Sequence, residues 1–272
     1  MRSPKVRSMV AEALSLEHVS KGVSRGGQWT SVLADVSLQI GRGEVVAIFG
    51  KRLRGKTTLL KIAAGIERPD EGSVSLGSQR LADLGERSRG RLLGSEIVWI
   101  DRDGPELDME VSRFVGWPLA LHGRGRREAE RMAKQALQQV GAQGCIGRGW
   151  GELSNWQRVL VGLARAFVGS PRIVIIDDLL DALGSRATEE ASDLLRSLVE
   201  ESEPRCGVLL SVSDIESAMD ILADRTFSLT RKSTLKPFSG RSMADTDRGG
   251  ENADVIPFPN HAEGQGSRGV GS

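Results

Sequence analysis

The feature that most constrains the fold is the stretch VVAIFGKRLRGKTTLLKIAAGI, residues 45–66. A continuous apolar run is followed by a loop with the spacing Gly-x4-Gly-Lys-Thr, and then by leucines and isoleucines at helical spacing. A buried strand, such a loop and a helix together form a phosphate cradle, whereas the loop motif without that context is a weak signal. We therefore expect a phosphate-bearing ligand at the start of this helix.

The residues of this loop predict which atoms contact the ligand. Backbone N–H groups at a helix N-terminus point towards phosphate oxygens, Lys56 reaches the terminal phosphates, and the Thr57 hydroxyl can bind Mg²⁺. Leu53 lies where such loops often have glycine, so the backbone there is expected to be strained, and Arg52 and Arg54 add bulky positive charge. The predicted nucleotide contacts in this segment are Gly50, Lys51, Arg52, Leu53, Arg54, Gly55, Lys56, Thr57 and Thr58.

Two acids follow a second apolar run, RIVIIDD, which ends at Asp177 and Asp178. Open parallel sheets bind ligands at the carboxyl ends of their strands, so Asp177 is expected to hold Mg²⁺ directly or through water. The alternative is a structural carboxylate that caps a helix. We favour the metal role because a phosphate loop needs an acid at this place.

Strand and helix patterns alternate along residues 12–231 and predict an α/β fold with a mainly parallel sheet. Two short antiparallel-type strands are expected at 13–19 and 31–40, with the Gly-rich segment 20–30 as a turn. Helical spacing predicts helices within 56–66, 124–141, 155–167 and 185–201. We expect a flexible N-terminus at 1–11, a helical subdomain at about 89–167 and a disordered tail at 232–272.

The composition excludes several classes of protein. A net charge of +1, 4% aromatic residues and no tyrosine argue against a nucleic-acid partner. Two cysteines, Cys145 and Cys206, form neither a disulfide framework nor a metal-binding spacing. The apolar runs are far shorter than the roughly 18 residues of a membrane-spanning helix. The chain is therefore expected to be soluble by itself and to meet a membrane only through a partner.

The order of these motifs resembles the ATP-binding cassette (ABC) ATPases over about four-fifths of the chain. The matching segments are VLADVSLQIGRGEVVAIFG, GKTTLLKIAAGIERPDEGSV, GELSNWQRVLVGLARAF and IVIIDDLLDALGS. The resemblance is strongest to the subgroup that serves lipoprotein release, macrolide export and cell division. It implies a P-loop NTPase (RecA-like) core, ATP and Mg²⁺ as ligands, and a cytoplasmic subunit on the inner face of the plasma membrane.

The resemblance also implies partners. Two such cassettes, alike or different, bind ATP between them, and each ATP contacts the phosphate loop of one subunit and the signature motif of the other. Membrane permease subunits complete the complex. In this chain the signature reads LSNWQ, so Ser154 and Gln157 are the residues implied to contact the ATP of the partner cassette.

The departures from the family pattern lie at the implied active site. The signature glycines are replaced by Asn155 and Trp156, and the expected general-base glutamate is Asp178, which is shorter by about 1.5 Å, one C–C bond. A glutamine is replaced by Asp101, which could still bind the metal. A histidine, an adenine-stacking aromatic residue and a D-loop aspartate are replaced, respectively, by Ser213, Val23 and Gly184.

These observations lead to two competing functions and a weaker third. The first is an ATP-binding transporter subunit with slow hydrolysis, in which Asp178 and Lys56 are catalytic and Thr57, Asp177 and Asp101 bind the metal. The second is a non-catalytic pseudo-ATPase that scaffolds or regulates a membrane complex. The third, a soluble ABC protein in translation or repair, is weaker because such proteins usually have two cassettes or long coiled-coil insertions.

Overall fold

The computed structural model describes residues 11–25, 28–105, 109–213, 222–230 and 232–238. The strands are β1 (Glu12–Arg25), β2 (Gln28–Gly41), β3 (Val45–Phe49), β4 (Glu71–Leu76), β5 (Gln79–Arg80), β6 (Ile97–Asp101), β7 (Ile173–Asp177), β8 (Gly207–Val212), β9 (Arg225–Leu229) and β10 (Leu235–Pro237). The α-helices are α1 (Lys56–Ala63), α2 (Glu86–Leu92), α3 (Val111–Leu121), α4 (Arg126–Gln139), α5 (Asn155–Phe167) and α6 (Ser185–Glu201). Short 3-10 turns lie at Leu81–Asp83, Gln143–Cys145 and Trp150–Glu152.

A four-stranded antiparallel sheet, ordered β2–β1–β4–β5, contains the N-terminal hairpin. Its two long strands confirm the predicted pair at 13–19 and 31–40, but the predicted turn at 20–30 is wrong over most of its length. Lys21 pairs with Leu33 and Val23 pairs with Thr30, so the hairpin continues through that segment. The prediction relied on apolar alternation, whereas two paired backbones satisfy each other's N–H and C=O groups whatever their side chains.

A six-stranded sheet, ordered β10–β9–β3–β8–β7–β6, confirms the predicted fold class. The pairs β9–β3, β3–β8, β8–β7 and β7–β6 are all parallel. In this register Asp101 lies opposite Asp177, and Phe49 lies opposite Val212. The carboxyl ends of β3, β6, β7 and β8 therefore meet at one edge, which is where an open parallel sheet binds its ligands.

The helices α3, α4 and α5 pack on one another and form the helical part of the chain. The predicted boundary near residue 89 is too early, because β6 lies after it and belongs to the six-stranded sheet. The packed helices begin at Val111. Helix α4 confirms the helix predicted within 124–141, and Ala129, Ala133 and Leu137 form its buried side.

Two apolar clusters lie on the two faces of the six-stranded sheet. Val45 and Ala47 of β3 belong to one cluster, whereas Val46 and Ile48 belong to the other. Successive side chains of a strand point to opposite faces, so a strand buried on both faces reads as a continuous apolar run. Burial of each valine or isoleucine side chain contributes about 1.5–3 kcal/mol.

Residues 232–238, the first part of the predicted disordered tail, are ordered beside the six-stranded sheet. β10 pairs with β9, and the ring centroids of Phe238 and Phe49 lie 5.1 Å apart. The prediction for 232–238 is therefore wrong, since it counted glycines and serines and missed this short hairpin. The predicted tail at 239–272 and most of the predicted flexible N-terminus lie outside the described residues. None of the described helices combines the length and apolar composition needed to cross a membrane.

Candidate functional site

The phosphate-loop motif lies between β3 and α1, as the sequence predicted. The predicted contacts from Gly50 to Thr58 form the loop and the first turn of the helix. Gly55 precedes α1 with φ 93°, and a Cβ atom there would lie 2.7 Å from Val32 Cγ1 and 2.9 Å from the Val32 carbonyl oxygen. Only glycine fits this position, and it leaves the first N–H groups of α1 without a side-chain cap, as an anion site requires.

Leu53 has the strained backbone that the sequence predicted. Its φ is 64°, in the left-handed region that leucine disfavours, and its side chain is 95% exposed. The side chain therefore contributes no burial that would compensate for the strain.

Replacing Leu53 with glycine is expected to stabilise the nucleotide-free chain by about 0.5–1 kcal/mol, because the left-handed conformation costs leucine about 1–2 kcal/mol and the greater unfolded-state freedom of glycine cancels part of the gain. Chemical denaturation measures the difference. Leu53→Ala is the matched control, since alanine removes the same exposed side chain but keeps the unfavourable backbone angle. Equal stability of the glycine and alanine variants would contradict the assignment of strain to this residue.

Lys56 is buried at the start of α1, with 5% of its surface exposed. Its Nζ donates to the Gly50 carbonyl oxygen at 2.7 Å and to Ser213 Oγ at 2.9 Å. The backbone of Gly50 is in turn tied to β8, because its N–H donates to the Val212 carbonyl oxygen. The parallel register of β3 and β8 therefore places Ser213 beside the loop lysine.

Asp177 is buried at the end of β7, where it accepts a hydrogen bond from Ser211 Oγ at 2.8 Å and another from the Thr57 side chain. Burial raises the pKa of this carboxyl, and the charge of Asp178 adds to the effect, whereas the two hydrogen bonds and Lys56 oppose it. The alternative helix-capping role is wrong, because the next helix, α6, begins at Ser185 with Gly184 as its cap.

Asp178 has a left-handed backbone, with φ 49°. Its N–H donates to Ser211 Oγ at 2.9 Å, and its Oδ1 lies 3.1 Å from Ser211 Oγ and 3.4 Å from Ser213 Oγ. Ser213, expected at this site in place of a histidine, therefore bridges Lys56 and Asp178 through its hydroxyl. A hydroxyl cannot take up a positive charge as an imidazole can.

Sequence reasoning missed Ser211 and Asp181. Ser211 is a polar residue within an otherwise apolar buried strand, and that interruption was the available signal. Asp181 Oδ1 accepts the Ser213 N–H at 3.2 Å. Burial raises the pKa of Asp181, the charge of Asp178 adds to this effect, and the hydrogen bonds from Ser213 oppose it.

Asp101 reaches the same sheet edge as Asp177, but local groups engage its carboxylate. Its Oδ2 accepts from Trp99 Nε1 at 2.9 Å, and its Oδ1 accepts from the Asp103 N–H at 3.1 Å. Burial lowers the pKa of the neighbouring Arg165, and the negative charge of Asp101 opposes that shift. The metal-binding role of Asp101 stays a prediction.

Ser154 and Gln157 lie at the start of α5, where Ser154 caps the helix and Gln157 belongs to its first turn. Ser154 Oγ accepts the Gln157 N–H at 3.3 Å, and Gln157 Oε1 accepts the Ser154 N–H at 3.0 Å. This capping box satisfies two N–H groups of the helix end. Within one chain the pair stabilises α5, which packs against α3, α4, α6 and β6.

The donor set at the loop fits a hydrated Mg²⁺ ion shared with phosphate oxygens. The Thr57 hydroxyl and the Asp177 carboxylate are hydrogen-bonded neighbours and supply the oxygen ligands that Mg²⁺ prefers. Within the described part of the chain, no three His, Cys, Asp or Glu side chains are grouped for metal binding. A metal at this edge would therefore need phosphate oxygens of a bound molecule as ligands, in addition to those of the protein.

Known proteins are similar to the chain over most of its length. Residues 33–180 match the family described as ABC transporter. The lipoprotein-releasing system ATP-binding protein LolD of Chromohalobacter salexigens is 33% identical over 166 residues, which cover 61% of this chain and 70% of that protein. The taurine import ATP-binding protein TauB of Sinorhizobium fredii is 32% identical over 231 residues, which cover 85% of this chain and 79% of that protein.

A solved structure shares the fold over nearly its whole length. It is the dimeric structure of a post-hydrolysis state of the ATP-binding cassette MJ0796, bound to ADP and Pi. The TM-score is 0.72 at 25% sequence identity, and the alignment covers 84% of this chain and 99% of that one.

Proposed function

This chain belongs to the ABC transporter family, and from that premise we propose that it is the ATP-binding subunit of a membrane transporter complex. The observation that carries the proposal is the site at the sheet edge. There the buried Lys56, the uncapped start of α1 and the Thr57–Asp177 pair meet at the loop. These groups are the ones that hold a nucleoside triphosphate with its metal.

In the proposed complex the loop residues from Gly50 to Thr58 bind the phosphates of ATP. Lys56 would leave its internal partners, the Gly50 carbonyl and Ser213, and pair with the terminal phosphate oxygens. Thr57 and Asp177, with Asp101 near them, would hold Mg²⁺. Mg²⁺ supplies positive charge to the transferred phosphoryl group.

Hydrolysis is proposed to be slow. The water oxygen would form a bond to the γ-phosphorus, the bond from that phosphorus to ADP would break, and one water proton would pass to Asp178 and from there to solvent. Asp178 would orient this water, but its side chain is one bond shorter than the expected glutamate, and Ser213 cannot supply the charge of a histidine. The hydroxyls of Ser211 and Ser213 also engage Asp178 Oδ1.

The second candidate function is a non-catalytic subunit that scaffolds or regulates a membrane complex through ATP occupancy. The contact of Ser213 with both Lys56 and Asp178 favours it, because a neutral hydroxyl there satisfies both charges without a nucleotide. In this case the subunit would bind ATP without hydrolysing it.

The proposed partners are a membrane permease and a second cassette, either a copy of this chain or a related one. The names of the relatives support this assembly, since one is part of a lipoprotein-releasing system, another is an import protein, and the solved cassette is a dimer. Ser154 and Gln157 would then face the ATP held by the partner cassette. The proposed location is the cytoplasmic face of the plasma membrane, where the permease holds the subunit.

The test is equilibrium binding of ATP to the full chain, with and without Mg²⁺. Replacing Lys56 with alanine is expected to weaken ATP binding about tenfold, because a charge-assisted hydrogen bond to phosphate is lost. Lys61→Ala is the matched control, since Lys61 is an exposed lysine on the same helix. No measurable binding by the unmodified chain would overturn the proposed function in both of its forms.

A further inference from the structure

Ser211 makes a set of contacts that a structural serine in a strand does not need. It lies in β8 with 1% of its surface exposed, among apolar neighbours. Its Oγ accepts the Asp178 N–H at 2.9 Å and lies 2.8 Å from Asp177 Oδ1 and 3.1 Å from Asp178 Oδ1. One hydroxyl therefore joins the two acids that follow β7.

The backbone contact concerns the conformation of Asp178. A non-glycine residue with φ 49° is disfavoured, and it persists only where its surroundings hold it. The hydrogen bond from the Asp178 N–H to Ser211 Oγ is the described contact that fixes this backbone from the neighbouring strand. The direction in which the Asp178 side chain leaves the sheet edge therefore depends on Ser211.

The side-chain contacts concern one oxygen of the carboxylate. Ser211 lies in β8, and Ser213 comes directly after Val212, the last residue of that strand. Both hydroxyls approach Asp178 Oδ1, and Lys56 Nζ donates to the second hydroxyl. Asp178 Oδ1 is thus contacted by two hydroxyls: that of Ser213, which Lys56 holds, and that of Ser211, whose one proton is shared between Asp177 and Asp178.

We propose that Ser211 is the positioning residue of Asp178: it fixes the Asp178 backbone and Oδ1, and so leaves Oδ2 to orient the attacking water. This inference rests on the proposed ATP hydrolysis and goes beyond it by assigning a role to Ser211, which acts through Asp178. The anchoring matters more here than beside a glutamate, because a shorter side chain has less reach to correct a misplaced carboxylate. The rate of ATP hydrolysis by this chain therefore depends on Ser211 within β8.

The experiment compares Ser211→Ala, Ser211→Thr and Ser192→Ala in the full chain. Threonine keeps the hydroxyl and suits a strand, whereas alanine removes it. Ser192 is the control because it is also a buried serine whose Oγ accepts a backbone N–H, from Leu222 at 2.7 Å, but it lies on α6 outside the site. Each variant is measured for ATP affinity, for the rate of hydrolysis at saturating Mg²⁺ and ATP, and for hydrogen exchange of the Asp178 amide without nucleotide.

We expect Ser211→Ala to lower the maximal rate about tenfold, the pattern of a group that acts in the transition state. ATP affinity measured without Mg²⁺ should change by less than about twofold, and this condition excludes an effect that runs through the contact of Ser211 with Asp177. The Asp178 amide should exchange faster in this variant. Ser211→Thr should restore both the rate and the protection, and Ser192→Ala should match the unmodified chain.

Several outcomes would overturn the inference. An unchanged rate in Ser211→Ala, an Asp178 amide that stays protected, or a threonine variant as slow as the alanine variant would each do so. An unmodified chain that binds ATP without hydrolysing it would overturn this inference and leave the proposed binding function standing. Failure to bind ATP would instead overturn the proposed function, and it would be detected in the affinity measurement before any rate is compared.

Discussion

Replacing Asp178 with glutamate and Ser213 with histidine in the same chain is expected to raise ATP turnover about a hundredfold. A glutamate carboxylate extends past Ser211 and Ser213 by about 1.5 Å, one C–C bond, which moves it towards the γ-phosphate. A histidine at 213 removes the hydroxyl that engages Lys56 and supplies a group that can carry charge. Steady-state hydrolysis at saturating Mg²⁺ and ATP measures the gain.

The two single variants serve as controls for this double change, and ATP affinity is measured for all three. Each single change is expected to give a smaller gain, because Asp178 and Ser213 are in contact and are proposed to lie beside the same water and phosphate. Binding without any gain in turnover would support the non-catalytic scaffold and would contradict the reading of this chain as a slow enzyme.

Replacing Asp177 with asparagine is expected to stabilise the nucleotide-free chain by about 1 kcal/mol and to weaken the Mg²⁺-dependent part of ATP binding about a hundredfold. The folded chain raises the pKa of Asp177, chiefly by burial. This carboxyl therefore favours folding while it is protonated, an effect present below its ordinary pKa and lost as the pH rises through the raised pKa. The gain in stability from asparagine should accordingly grow as the pH rises through that range.

Denaturation at several pH values and ATP binding with and without Mg²⁺ test this prediction. Asp193→Asn is the matched control, since Asp193 is an exposed aspartate on α6 and should alter neither property. An Asp177→Asn chain that is no more stable than the original, or that still needs Mg²⁺ for tight binding, would contradict the assigned role.

Features encoded in neighbouring residues were predictable. The strand, loop and helix around Lys56 follow from an apolar run, a glycine spacing and a helical period within about twenty residues. Helix α6 was predicted with its observed bounds because its apolar period has no interruption. Asp177 was assigned to the sheet edge because it follows a buried strand, and the edge is a property of parallel strands in general.

Features that depend on which atoms meet across strands were not predictable. Ser211 reaches Asp177 and Asp178 only because β8 pairs with β7 in this register. The bond from the Trp99 indole to Asp101 lies within one strand, where alternate residues share a face, but the apolar pattern gives no sign that the indole would engage the carboxylate. β10 was missed because a strand of three residues carries too few positions for a period.

The two apolar clusters share the strands of one sheet, and this sharing affects how the chain unfolds. A strand such as β3 cannot leave one cluster without leaving the other, since its alternate residues belong to both. Disruption of either cluster should therefore unfold the whole sheet in one cooperative step. The carboxyl edge of that sheet holds the phosphate loop and both acids. A substitution that destabilises a remote part of the core should therefore raise the fraction of molecules in which the nucleotide site is unfolded, without distorting the site in the folded ones.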